Sequence, residues 1–404
     1  MTDRPSYSLQ RSCCSALLSA LLLAFLSTAS AQAQSETAAA VAAQEVLARD
    51  LREEILRIPV TVKDMFGRQE TRSMPITVFR PPGDGPFPLL VFNHGRAVSA
   101  KRAAQGRWRP EQAARYLVAK GFVVLAPTRI GYWETYGDFD PEASGDCRSL
   151  QPEPMSIAAS EQVLAAVAFA KTLPYVDASR WLVAGQSVGG LTTIATVGRN
   201  PPGLLAGLNF AGGTGGNPDV NPGRPCSPQA LSAYWGGLAK SATAPMLWLY
   251  WQNDKYWGPD HPVQWHKAWV DGGGRAELAM LAPVGGDGHA GLVIDMDRWL
   301  PMVDAFLAKL GFTQPAIVPR PPASGFAELS DADKVPVSAQ TRSGAWAHFL
   351  ESKPPRAFAV GDRGAWGSAS GDYAHGKALG NCQRAGQNCK LYAVDDVVVW
   401  RVAP

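Results

Sequence analysis

The stretch Gly185-Gln186-Ser187-Val188-Gly189 sets a serine hydroxyl between two glycines, each two positions away. It lies between an apolar run, Trp181 to Ala184, and a segment patterned as a helix from Val188 to about Val197. A chain that turns so sharply from strand to helix forces the serine into a strained conformation, and only small residues two positions on either side escape collision. The turn lifts the hydroxyl above the carboxyl edge of a sheet. It also leaves the Val188 amide at a helix N-terminus, where it can stabilise negative charge. The chemistry implied is nucleophilic attack on a carbonyl carbon.

A serine hydroxyl needs a base, and the base needs an orienting carboxylate. On a sheet of this kind both come later in the chain, each in a loop after a strand, in the order serine, acid, histidine. Asp254 follows the apolar run Pro245 to Tyr250, and His289 follows Glu277 to Leu281 in the stretch Gly286-Asp287-Gly288-His289. The six histidines leave little choice, because His94 precedes the serine, His261 and His266 fall on an intervening helix, and His348 and His375 lie far beyond. Ser187, Asp254 and His289 are therefore the candidate catalytic residues, with Asp260 and Asp287 as rival acids. A second oxyanion donor should come from Asn93-His94-Gly95-Arg96, after the run Pro88 to Phe92. An amide of Gly95, Arg96 or Ala97 is expected to pair with that of Val188. His94 reads as a structural residue under this loop, and the Arg96 side chain as solvated or salt-bridged.

The elements that must position these groups follow from hydrophobic pattern. Strands are expected at Ile58 to Val62, Met74 to Phe79, Pro88 to Phe92, Phe122 to Ala126, Trp181 to Ala184, Leu204 to Phe210, Pro245 to Tyr250 and Glu277 to Leu281. Helices are expected at Ala38 to Arg57, Pro110 to Lys120, Ser156 to Thr172, from Val188, near His261 to Val270 and at Met296 to Leu310. Short apolar strands alternating with helices imply a doubly wound α/β fold with a mostly parallel sheet covered on both faces. Prolines at 315, 319, 321 and 322 mark a linker over 312–325. Residues 326–404 read as a small α+β domain, with a helix at Ala339 to Leu350, a strand at Ala357 to Val360, a glycine-rich stretch to Gly371, a helix near Ala374 to Cys382 and a strand from Leu391 to Trp400 broken at Asp395-Asp396. Aromatic residues crowd two loops expected to border the site: Tyr132, Trp133 and Tyr136, and Trp251, Tyr256 and Trp257. Ser227 to Lys240 is a candidate cap.

Taken together, Asn93-His94-Gly95, the turn around Ser187, Gln252-Asn253-Asp254 and Gly288-His289 resemble the α/β-hydrolase superfamily. The resemblance lies toward dienelactone hydrolase-like and platelet-activating-factor acetylhydrolase-like serine esterases, and covers roughly Ile58 to Leu310. It implies an α/β-hydrolase domain over 34–311 that cleaves a small-molecule carboxylic ester. The dienelactone hydrolases proper use a cysteine nucleophile where this chain has Ser187, which argues for general esterase chemistry. A serine peptidase on the same fold, or a non-catalytic envelope-binding module, are the alternatives.

Composition narrows the setting. Of 404 residues 46% are hydrophobic and 18% charged, with a net charge of +3 and no basic block, which offers no electrostatic footprint for nucleic acid. Arg4 and Arg11, the short apolar stretch Ala16 to Leu26 and Ala31-Gln32-Ala33 read as a signal peptide over 1–33, too short to span a bilayer. A periplasmic or secreted protein is expected, with no membrane span. In an oxidising compartment the four later cysteines should pair, Cys382 with Cys389 and Cys147 with Cys226. No metal site and no organic cofactor are implied, and the sequence leaves oligomeric state open.

Overall fold

The computed structural model describes residues 47–313, 321, 323–371 and 374–400. The signal-peptide reading and most of the linker lie outside them. Eight strands form the larger sheet: β1 (Glu54–Lys63), β2 (Gln69–Phe79), β3 (Phe87–Asn93), β4 (Val123–Pro127), β5 (Val176–Gln186), β6 (Leu204–Phe210), β7 (Met246–Trp251) and β8 (Ala276–Leu281), in the order β1-β2-β4-β3-β5-β6-β7-β8. The β1–β2 and β2–β4 pairs are antiparallel, and every pair from β4–β3 to β7–β8 is parallel. Composition explains the difference. In β7 all of Met-Leu-Trp-Leu-Tyr-Trp is buried, as a strand covered on both faces must be. At the antiparallel edge only Ile58, Val60 and Val62 of β1 turn inward, alternating with exposed neighbours.

Among the described residues, six helices of nine residues or more alternate with these strands: α1 (Glu111–Ala119), α2 (Pro152–Ala170), α3 (Val188–Gly198), α4 (Pro228–Ala239), α5 (Asp260–Asp271) and α6 (Met296–Lys309). Strand β6 shows how they divide. A Cβ at Gly207 would fall 2.9 Å from Val197 of α3, whereas Phe210, of opposite parity, meets Trp299 of α6 with ring centroids 5.1 Å apart. The sheet is thus doubly wound, as its alternating pattern predicts.

Two expectations are corrected. No helix runs through to Arg57: Arg49–Leu51 is a single 3-10 turn and the chain is already a strand at Glu54. Leu47, Leu51 and Ile55 have helical spacing, but the period-two burial at Ile58, Val60 and Val62 governs this segment. The candidate cap is an ordinary layer helix. Leu231, Trp235 and Ala239, one turn apart on α4, are buried, and Trp235 packs edge-on against Trp248 of β7 and Trp265 of α5, both at 5.4 Å.

The C-terminal portion forms a second, antiparallel sheet ordered β10-β9-β11-β12, from β9 (Arg356–Val360), β10 (Trp366–Ser370), β11 (Lys390–Val394) and β12 (Val397–Val398). One face carries α7 (Ala374–Ala385) over Ala357, Ala359 and Val394. The other carries Val335, Trp346 and Phe349 over Phe358, Val360 and Tyr392. The expected helix at Ala339 to Leu350 is three consecutive helical turns, Ala339–Thr341, Arg342–Trp346 and Ala347–Glu351. Helix α7 also abuts the larger sheet's helical layer. The Arg384 guanidinium donates to the Ile294 carbonyl at 3.1 Å, and a Cβ at Gly376 would lie 3.0 Å from Met296. Both cysteine pairs are disulfides, Cys147–Cys226 with Cα atoms 5.0 Å apart and Cys382–Cys389 at 6.0 Å.

Candidate active site

Ser187 joins β5 to α3 with φ 58° and ψ −124°. A non-glycine residue held there costs about 1–3 kcal/mol and persists only where its surroundings over-determine it. They do so here. The Ser187 amide donates to Phe210 O at 3.0 Å, and its carbonyl accepts from Leu191 at 3.0 Å and Gly213 at 3.1 Å. The flanking glycines are steric necessities, since a Cβ at Gly185 would fall 2.1 Å from Gly189 O, and one at Gly189 would fall 2.2 Å from Asn93 O. Val188 opens α3, so its amide has no acceptor within the helix.

The structure brings His289 and Asp254 together. His289 Nδ1 lies 2.9 Å from Asp254 Oδ2, and because a carboxylate only accepts, Nδ1 carries a proton. The other carboxylate oxygen is fixed from behind: Asp254 Oδ1 accepts from the Tyr256 amide at 2.7 Å and the Trp257 amide at 3.1 Å. Asp254 is buried, and the histidine side chain is only 11% exposed. Of the rival acids, Asp287 turns to main chain, accepting from the His289 and Lys255 amides at 2.9 Å each. Asp260 begins α5 and shares none of these contacts.

Five further residues contact the serine turn, the acid loop or the histidine loop. Gln186, beside the serine, donates through Nε2 to His289 O at 2.7 Å, linking the strand-helix turn to the histidine loop. Asn253 bonds Val284 in both directions at 3.0 Å, lacing the acid loop to the histidine loop. Asp287 anchors the histidine backbone as described. Tyr256 lies face to face with the His289 ring, centroids 3.9 Å apart, while Trp257 meets it edge-on at 5.5 Å. Gln186 and Asn253 stand inside motifs legible in the sequence, but their partners depend on how distant loops close.

The loop after β3 reaches the serine from the opposite side. A Cβ added at Gly95 would sit 3.1 Å from Ser187 Cβ and 3.6 Å from its Oγ. Asn93 Nδ2 ties this loop to Ala184 O of β5 at 3.1 Å. His94 is fully buried; its Nε2 accepts from the Arg129 amide at 3.0 Å, so Nδ1 donates to Gly95 O at 2.6 Å. Burial, and then the neighbouring Arg129 charge, hold the His94 pKa well below the usual imidazole value. It is a neutral prop for the loop. The Arg96 guanidinium makes a two-pronged pair with Asp140 at 3.1 and 2.6 Å and touches the Tyr132 hydroxyl at 3.2 Å. Behind it, Arg129 pairs with Glu142, both fully buried, and Glu142 also accepts from Tyr132 at 2.8 Å.

Three of the six aromatic residues expected around the site are packing. Tyr132, Trp251 and Trp257 are buried, with the Trp251 indole donating to Asp295 at 2.6 Å and that of Trp257 to Ala211 O at 2.7 Å. Tyr256 alone of these rings stacks on the histidine. Among the described residues no three His, Cys, Asp or Glu side chains gather as a metal site, and no helix is long and apolar enough to cross a membrane.

The sheet order, with β2 as its single antiparallel strand, and the serine turn after β5 define the α/β-hydrolase fold. The chain is similar to several solved structures at low identity. A Klebsiella pneumoniae protein described as a dienelactone hydrolase matches 65% of this chain and 99% of its own, at 19% identity and a TM-score of 0.40. Est1E of Butyrivibrio proteoclasticus, solved with ferulic acid, matches 59% of this chain and 95% of its own, at 15% identity and a TM-score of 0.42. The acylaminoacyl peptidase of Pyrococcus horikoshii matches 68% of this chain but only 43% of its own, at 14% identity and a TM-score of 0.44. No protein-family model and no curated protein matches the chain. Likenesses this remote add nothing to what the strand order and the serine turn establish.

Proposed function

We propose that this chain is an exported serine hydrolase that cleaves carboxylic esters through Ser187, His289 and Asp254. His289 Nε2 takes the Ser187 proton as Oγ attacks the ester carbonyl. The tetrahedral oxyanion rests on the Val188 amide and an amide of the Gly95–Arg96 segment. His289 then protonates the leaving alkoxide, and a water activated by the same nitrogen releases the acid from the acyl-enzyme. The observation that carries this reading is the 2.9 Å bond from His289 Nδ1 to a carboxylate whose other oxygen is locked by two amides. Such an arrangement fixes the tautomer a general base requires. Export is supported by the two disulfides, which persist in oxidising compartments.

The test is hydrolysis of p-nitrophenyl acetate and labelling by a fluorophosphonate probe. Ser187→Ala is expected to abolish labelling and to lower turnover by on the order of 10⁶-fold, as loss of a nucleophile does. Retained hydrolysis in a folded variant refutes the assignment. Aminoacyl p-nitroanilides and N-acyl peptides run beside aryl, acyl and sugar esters separate an esterase from a peptidase, and faster peptide turnover would replace the ester reading.

A further inference from the structure

The second sheet is covered unevenly. On one face α7 lies so close to β10 that a Cβ at Gly367 would fall 2.2 Å from Ala378 O. On the other face, the helical turns from Ala339 to Glu351 and their neighbours cover β9, β11 and β12, leaving the outer strand β10 bare. The side chains of β10 that share this face, Trp366, Ser368 and Ser370, line an open groove of about 610 Å³ whose far wall is Ala345, His348 and Ser352. Trp366 is 37% exposed, and its indole plane is held parallel, within 5°, to the buried Phe358 ring.

We infer that this groove binds an uncharged saccharide. Among the described residues no Asp, Glu, Lys or Arg lines it, so none of them offers an ionic ligand a charged partner. It offers instead one flat, fixed, half-open indole, an imidazole and several hydroxyls. That is the complement of a pyranose, whose C–H face stacks on an aromatic ring while its hydroxyls exchange hydrogen bonds around the rim. Among the described residues the Ser368 and Ser370 hydroxyls make no hydrogen bond within the protein, so both are available to a ligand. The volume lies within the range of small-molecule sites. The free edge of β10 could alternatively pair with an extended peptide, but that mode reads main-chain groups along the edge and has no use for hydroxyls on the face. The inference does not depend on the proposed esterase chemistry.

The experiment takes the full-length, disulfide-intact protein to an immobilised array of neutral and acidic glycans, then measures the strongest neutral hit by titration calorimetry. Trp366→Ala is expected to weaken binding by about tenfold or more, an aromatic stack being worth roughly a factor of this order. Trp366→Phe, which keeps a ring, should retain most of the affinity, and Ser368→Ala with Ser370→Ala should weaken it while leaving the core untouched. Hydrolysis of p-nitrophenyl acetate by all three variants should equal that of the parent, since none of these residues belongs to the catalytic machinery. Absence of any neutral glycan hit, binding that survives Trp366→Ala, or selection of acidic glycans or of an extended peptide instead would each overturn the inference.

Discussion

Replacing Asp254 with asparagine exchanges one oxygen for an NH₂ group, and the surroundings decide which end goes where. The Tyr256 and Trp257 amides both donate to one side of the carboxylate, at 2.7 and 3.1 Å. An amide NH₂ cannot face two N–H donors, so the asparagine oxygen must take that side. Its NH₂ then points at His289 Nδ1, where the carboxylate accepted at 2.9 Å. Nδ1 becomes the acceptor and the ring proton moves to Nε2, the nitrogen that the proposed mechanism needs bare to receive the Ser187 proton. The expected loss is about 10⁴-fold in kcat, roughly 5 kcal/mol of transition-state stabilisation. Folding should hardly notice, because both backbone bonds survive and no charge is left unpaired. Asp254→Ala differs, since it strips the two amides of their acceptor at about 1–3 kcal/mol each. The assay is kcat for p-nitrophenyl acetate beside the urea midpoint of each variant. Asp254→Asn retaining more than a tenth of parental kcat, or Asp287→Asn proving the more damaging of the two, refutes the reasoning.

Three other outcomes follow from the same contacts. Gly95→Ala should lower kcat for p-nitrophenyl acetate by about 10²-fold with the fold intact, because its Cβ would press within 3.1 Å of the serine and spoil one side of the proposed oxyanion site; an unchanged rate would remove Gly95 from that proposal. Loss of the Cys147–Cys226 bridge, which spans 79 residues, should cost about 4.5 kcal/mol by chain entropy, against about 2.5 for Cys382–Cys389, which spans 7; double-serine variants compared by urea unfolding check the order. Burial, and then the Arg115 charge, push the His375 pKa down to about 4. The unfolded chain therefore binds the extra proton first as pH falls through about 6.5. Unfolding free energy should drop by about 3 kcal/mol between pH 6.5 and 4 and gain no further loss from this group below that. His375→Gln should flatten that slope, and an unchanged slope would mean the ring is hydrated.

The larger sheet was legible because its strands are short apolar runs bounded by turns, and their observed limits differ from the expected ones mostly at the ends. Strand β10 escaped notice for a physical reason: Trp-Gly-Ser-Ala-Ser has no β-branched residue, and Gly367 is there to admit α7 rather than to break a strand. The Leu391 to Trp400 run became a tight hairpin, with Asp395 at φ 48° making the turn that the two aspartates foreshadow. In the site, the serine turn could be read from five residues because its sterics are local. The clasp of Gln186 on the His289 carbonyl could not, as nothing near either residue in the sequence announces a partner 103 positions away.

That clasp has a mechanical consequence. The His289 carbonyl is gripped by the residue next door to Ser187, so the two loops are fastened directly to each other. Moving either loop by itself would break this bond. On warming, such an assembly does not drift gradually out of alignment; catalytic competence and the integrity of the central strands should vanish in the same narrow interval of temperature.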